Sequence, residues 1–150
     1  MKISLREWIA TGKFGEITNG ATRAEVCNCI GEAPNWGVPT TDIETAEIWK
    51  YGDIEFYFSG DLLWMIFTDD FEIPRGCEAF ELDAWEIKRD CTLTEMECHL
   101  SEAGIVYRVE DFPYADNGVR LICQRGATLT FCGEDAAQLE LRAVSNSRSS

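Results

Sequence analysis

The chain is poor in bases, in histidine and in long apolar runs, and each shortage removes a class of function. Thirteen lysines and arginines stand against 27 aspartates and glutamates, for a formal net charge of −14. Phosphate backbones and anionic lipid surfaces repel such a chain, so neither nucleic acid nor membrane is expected among its partners. The one histidine, His99, lies beside Cys98. Neighbours on a helix point about 100° apart, so the two do not face each other as base and nucleophile. No apolar run approaches the roughly 18 residues that cross a bilayer. The opening MKISLREWIATGKFGE is broken by charges and does not read as a secretion signal. P-loop, Rossmann and nucleophile-elbow glycine patterns are absent. The seven cysteines are odd in number and follow no disulfide framework. Cys27-x-Cys29 with a single histidine does not give zinc-ligand spacing. These shortages predict a cytoplasmic protein that is not an enzyme and carries no cofactor or metal.

What is present supports a folded binding module. A hydrophobic fraction of 45% with five tryptophans excludes disorder, and 150 residues suit one domain spanning 1–150. The acidity is concentrated: residues 69 to 97 carry ten acids against three bases, half of the net charge. Phe71, Phe80 and Trp85 run through the same stretch. A charge block of this kind is either a solvated connection or a docking face for a cationic partner.

Local signals place the elements. Ser4-Leu5-Arg6-Glu7 reads as a capping box for a short helix to about Thr11, stopped by Gly12. Thr22-x-x-Glu25 is a second box, for a helix to about Ile30 that Gly31 and Pro34 terminate. Thr92 or Thr94 caps a third, to about Ala103. PNWGVPTTDIET reads as a loop. Ile54, Phe56 and Phe58 alternate with Glu55 and Tyr57, as a half-buried strand does. LLWMIF is apolar throughout and reads as a strand covered on both faces. Ile105–Val109 and the segments GVRLICQ, ATLTFCG and QLELRAVS are further strands. ELDAWEIKRD is either a short strand or a helical turn.

The chain says one thing twice. TRAEVCNCIGEA from Thr22 matches TLTEMECHLSEA from Thr92, 70 residues on, with Glu25 on Glu95, Val26 on Met96 and Ile30 on Leu100. Each copy leads into strands separated by glycine-containing turns, aligning Gly52 with Gly126, Phe56 with Phe131 and Gly60 with Gly133. The expected fold is α+β: one compact domain of two similar helix-plus-antiparallel-sheet repeats, approximately 17–70 and 88–146. Repeated units of this kind build a shared surface.

Ile17, Gly20, Thr22, Glu25, Val26, Ile30, Gly31 and Pro34 together resemble a motif of the SmpA/OmlA-like (BamE-like) family, in which such a helical unit packs on an antiparallel sheet. The tandem arrangement is similar to the β-lactamase inhibitor protein family, whose concave sheet surface grips an enzyme. The chain has neither the lipidation cysteine of the first nor the disulfides of the second. Leu5-Arg6-Glu7-Trp8 through Phe14-Gly15 also resembles the opening of uncharacterised bacterial proteins. The resemblances imply a helix-backed sheet whose open face binds protein.

The leading expectation is an immunity-type binding or inhibitor protein directed at a basic toxin or enzyme. Its contact residues would be Glu55, Tyr57, Trp64, Asp69, Asp70 and Glu72, with Trp36 and Tyr51 as secondary candidates. The alternative is an acidic chaperone or scaffold for a secreted effector, with a homodimer as its natural form. A small hydrolase is a third reading, and needs a deep polar pocket with two carboxylates about 5–10 Å apart.

Overall fold

The computed structural model describes residues 1–37, 42–69 and 71–147. Among these residues, three helices form where the caps predict them. Helix α1, Leu5–Thr11, starts at Ser4, whose side chain accepts from the Glu7 amide, and ends at Gly12 in the left-handed region. Helix α2, Arg23–Ile30, opens with a complete box: the Thr22 hydroxyl accepts from the Glu25 amide while the Glu25 carboxylate accepts from the Thr22 amide. Helix α3, Leu93–Glu102, is capped by Thr92 rather than Thr94.

Two sheets accompany them. The smaller pairs β1, Lys2–Ser4, with β6, Glu81–Asp83, in parallel. Neither strand carries a pattern long enough to read locally. ELDAWEIKRD thus supplies both a strand and a turn. The larger sheet has eight strands: β2 (Asn35–Trp36), β3 (Ile48–Tyr51), β4 (Ile54–Ser59), β5 (Leu62–Thr68), β7 (Tyr107–Asp111), β8 (Val119–Cys123), β9 (Thr128–Cys132) and β10 (Glu140–Ser147). Their order is β2-β3-β4-β5-β10-β9-β8-β7, and every pairing is antiparallel. The architecture is therefore α+β with a large antiparallel sheet.

The sheet has a covered and an open face. On β4, Ile54, Phe56 and Phe58 are buried while Glu55 and Tyr57 are half-exposed. Val26 and Ile30 of α2 and Met96 and Leu100 of α3 belong to the same buried cluster as Phe56, Leu129 and Phe131. The Arg23 guanidinium lies 4.4 Å from the Phe58 ring centroid and 5.3 Å from that of Trp49. Near α1, Phe14 meets Trp8, Phe56 and Phe80 edge-on, with centroids 5.5–5.7 Å apart.

LLWMIF differs from its expected two-sided burial. Leu63, Ile66 and Thr68 are buried, but Leu62 and Trp64 are exposed and Met65 and Phe67 half-exposed. One face of β5 is open, and its outward side chains are simply apolar. β7 begins at Tyr107, two residues later than the β-branched run implied.

Candidate functional site on the open face of the sheet

Residues directly opposite in an antiparallel ladder share a face, so the registers define the open surface. Lys50 and Ile48 of β3 stand opposite Glu55 and Tyr57 of β4. Glu55 and Tyr57 in turn stand opposite Phe67 and Met65 of β5. Between Tyr57 and Phe58 the register slips, because Tyr57 faces Met65 and Phe58 faces Leu63. Trp64 is the extra residue of this bulge, and bulges re-aim side chains. Its indole is 41% exposed, with its ring 6.0 Å from that of Tyr57. Phe67 lies on the other flank of Tyr57, at 6.2 Å. Both contacts are edge-on.

Acidic groups set the electrostatics of this cluster. The Tyr57 hydroxyl donates to Glu55 Oε2 at 2.7 Å, and Lys50 Nζ lies 3.6 Å from Glu55 Oε1. Burial, then the hydrogen bond to Glu55, then the charges of Glu55 and Asp69 push the Tyr57 phenol well above its ordinary range. The hydroxyl therefore stays a donor under all ordinary conditions. The patch combines amphipathic rings with carboxylates, an arrangement suited to holding a cationic surface rather than to moving protons.

The far half of the open face has a different chemistry. Beyond the β5–β10 seam come Ser145, Thr128 and Thr130, then Arg120 and Ile122, then Arg108 and Glu110. A concavity of about 740 Å³ lies here, lined in part by Arg108, Arg120, Ile122, Arg125 and Thr128, and among the described residues no carboxylate side chain lines it. Arg108 Nη1 donates to Glu110 Oε2 at 2.8 Å, and the Arg120 guanidinium lies 5.1 Å from the Phe112 ring centroid.

The structure sorts the eight sequence candidates. Glu55, Tyr57 and Trp64 meet on the open face, and the charge of Asp69 reaches Tyr57. Trp36 is 40% exposed but stands opposite Trp49, on the helix-covered face, so it cannot join them. Tyr51 is a correction: it is wholly buried, and its hydroxyl donates to the Gly31 carbonyl at 2.8 Å. Glu72 is exposed on the segment after β5, off the sheet. Asp70 lies outside the described residues. Met65 and Phe67 were missed, because an all-apolar strand does not reveal which side chains turn outward. The alternation of β4 held that information, once β5 was set against it.

The Cys98–His99 neighbours make no dyad. Cys98 is exposed, while His99 meets Trp85 edge-on and brings Nε2 to 3.6 Å from Glu86 Oε2. Among the described residues, no three His, Cys, Asp or Glu side chains group to hold a metal ion. No helix among them is long and apolar enough to cross a membrane. Comparison with protein-family models, curated proteins and solved structures finds no match.

Proposed function

We propose that the protein is a cytoplasmic binding or inhibitor protein of the immunity type, which docks a basic protein partner on the open face of β4 and β5. The observation that carries this reading is the cluster of Tyr57, Trp64 and Phe67, uncovered by any helix among the described residues and flanked by Glu55 and Asp69. Tryptophan and tyrosine are the residues on which binding energy concentrates, and the surrounding negative charge draws a cationic partner in.

The test uses immobilised protein and a lysate of the source organism at low and high salt. The expected result is a basic protein retained at low salt, weakened at high salt, and lost with both Trp64→Ala and Asp69→Lys. If those variants retain it undiminished, the open face is not the interface. If the native protein retains nothing at either salt, the binding reading itself fails.

We also infer that the chain is a tandem duplication, in keeping with the resemblance to the SmpA/OmlA-like motif. The two N-caps support it: Thr22 bridges Leu62 at the start of β5, and Thr92 bridges Glu140 at the start of β10. The Arg23 amide donates to the Asp61 carbonyl as the Leu93 amide does to that of Leu139. The bulges match too. Phe58↔Leu63 is followed by the extra Trp64, and Phe131↔Leu141 by the extra Arg142. In this register Phe131 is the counterpart of Phe58, not of Phe56. Longer turns in the second half widen the spacing: four residues, Gln124 to Ala127, join β8 to β9 where Gly52 and Asp53 join β3 to β4, and seven join β9 to β10 where Gly60 and Asp61 join β4 to β5. One scaffold position thus carries an aromatic in one half and a cation in the other.

A further inference from the structure

The strand order leaves β7 at one edge of the large sheet. It pairs with β8 over five residues with no register slip, and its last four residues are exposed. The opposite edge, β2, has only two residues. An unpaired edge of this length is a template for another strand unless charge or a bulge guards it. The residues along β7 point to one particular strand.

The backbone bonds fix which groups face outward. The Gln124 amide donates to the Val106 carbonyl at 2.9 Å, and the Phe112 amide to the Gly118 carbonyl at 2.8 Å. With Arg108 opposite Ile122 and Glu110 opposite Arg120, residues 106, 108, 110 and 112 turn their amides and carbonyls toward β8. Tyr107, Val109 and Asp111 therefore present theirs to the free edge.

We propose that β7 is the self-association surface of this protein, pairing antiparallel with β7 of a second copy about a two-fold axis through Val109. The axis places Val109 opposite Val109 of the second copy, and Tyr107 opposite Asp111 in both directions. These are the residues whose amides and carbonyls face outward, so each can exchange reciprocal hydrogen bonds. The same axis sets Arg108 opposite Glu110 of the second copy, and Glu110 opposite its Arg108. Those positions are the close, non-hydrogen-bonded pairs of an antiparallel ladder, with Cα atoms about 4.5 Å apart. The existing Arg108–Glu110 pair within each strand closes a square of four alternating charges. Val109, 57% exposed, and Val106, 65% exposed, gain cover. The sequence Arg-Val-Glu is complementary to itself only in this antiparallel setting. The join extends the sheet through its edge and leaves Tyr57, Trp64 and Phe67 open. It is also a small contact, at the low end of specific interfaces, so the dimer dissociates on dilution.

Sedimentation equilibrium over a concentration series tests the proposal. The native chain is expected to show a monomer–dimer equilibrium. Val109→Pro removes an edge amide that makes no bond among the described residues of one copy, and proline is tolerated on an edge. This variant and Arg108→Glu are each expected to weaken the dimer at least about tenfold. Arg108→Glu and Glu110→Arg each set like charges against one another in their own dimers, yet are complementary to each other. Mixing the two is expected to restore dimers that neither forms alone, which loss of fold cannot mimic. A native chain that stays monomeric at roughly 1 mM overturns the proposal. So does a dimer that neither Val109→Pro nor Arg108→Glu weakens, or a mixture that stays monomeric.

Discussion

Tyr51 is held at both ends. Its ring packs against Phe56 and Phe80, with centroids 5.2 and 6.1 Å away, and its hydroxyl ties β3 to the end of α2 through the Gly31 carbonyl. Tyr51→Phe keeps the packing and leaves that carbonyl without its donor. The expected cost is about 1 kcal/mol, read from urea unfolding at neutral pH. The pH dependence has a definite sign. Burial, and then the charges of Cys27, Cys77 and Glu32, hold the Tyr51 phenol far above its ordinary value. Burial also raises the Cys91 and Cys123 thiols to about 11, helped at Cys91 by Glu95. The unfolded chain releases these protons at about pH 8.5 for the thiols and about 10 for the phenol, whereas the folded chain keeps them. Stability is thus fully present below about pH 8 and falls as pH rises through the unfolded values toward the folded ones. Tyr51→Phe should flatten the fall above about pH 10, and an unchanged slope there would show that Tyr51 ionises as freely in the fold as out of it.

Among the elements, the β8–β9 hairpin depends most on a single residue. A Cβ on Gly126 would occupy the space of the Ile9 carbonyl oxygen, which accepts from the Ala127 amide at 3.1 Å. Gly126→Ala must therefore push the hairpin away from α1. A loss of about 2 kcal/mol or more is expected in thermal or urea unfolding, and a variant of native stability would mean the two elements separate freely. Elements with local signals were legible in the sequence. Ser4, Thr22 and Thr92 each announce a helix within four residues, because capping is a contact between near neighbours. The parallel pair β1–β6 was not, since it joins two three-residue strands from distant parts of the chain. The candidate site was half legible. Alternation on β4 gave Glu55 and Tyr57 their face, whereas Tyr51 of the preceding strand, expected as a secondary contact residue, is buried. Nothing near Tyr51 in the sequence states that Gly31 waits for its hydroxyl.

For the molecule as a whole, one buried cluster takes in side chains from α1 to β10. Trp8, Trp36, Trp49 and Trp64 lie in the first half and Trp85 meets His99 of α3, so fluorescence is weighted toward the first half while circular dichroism reports both evenly. The two are expected to give one coincident urea transition, and separated midpoints would show halves that unfold independently. The seam that joins those halves is the pairing of Thr68, Phe67, Ile66 and Met65 with Val144 through Ser147. As the chain emerges from the ribosome, β10 is the last of these strands to appear. Until then the inner edge of β5 has no neighbour, and the nascent first half carries an unpaired strand rich in leucine, tryptophan and phenylalanine. The time taken to synthesise the second half is therefore a window of vulnerability, and ribosome pausing anywhere between β5 and β10 lengthens it.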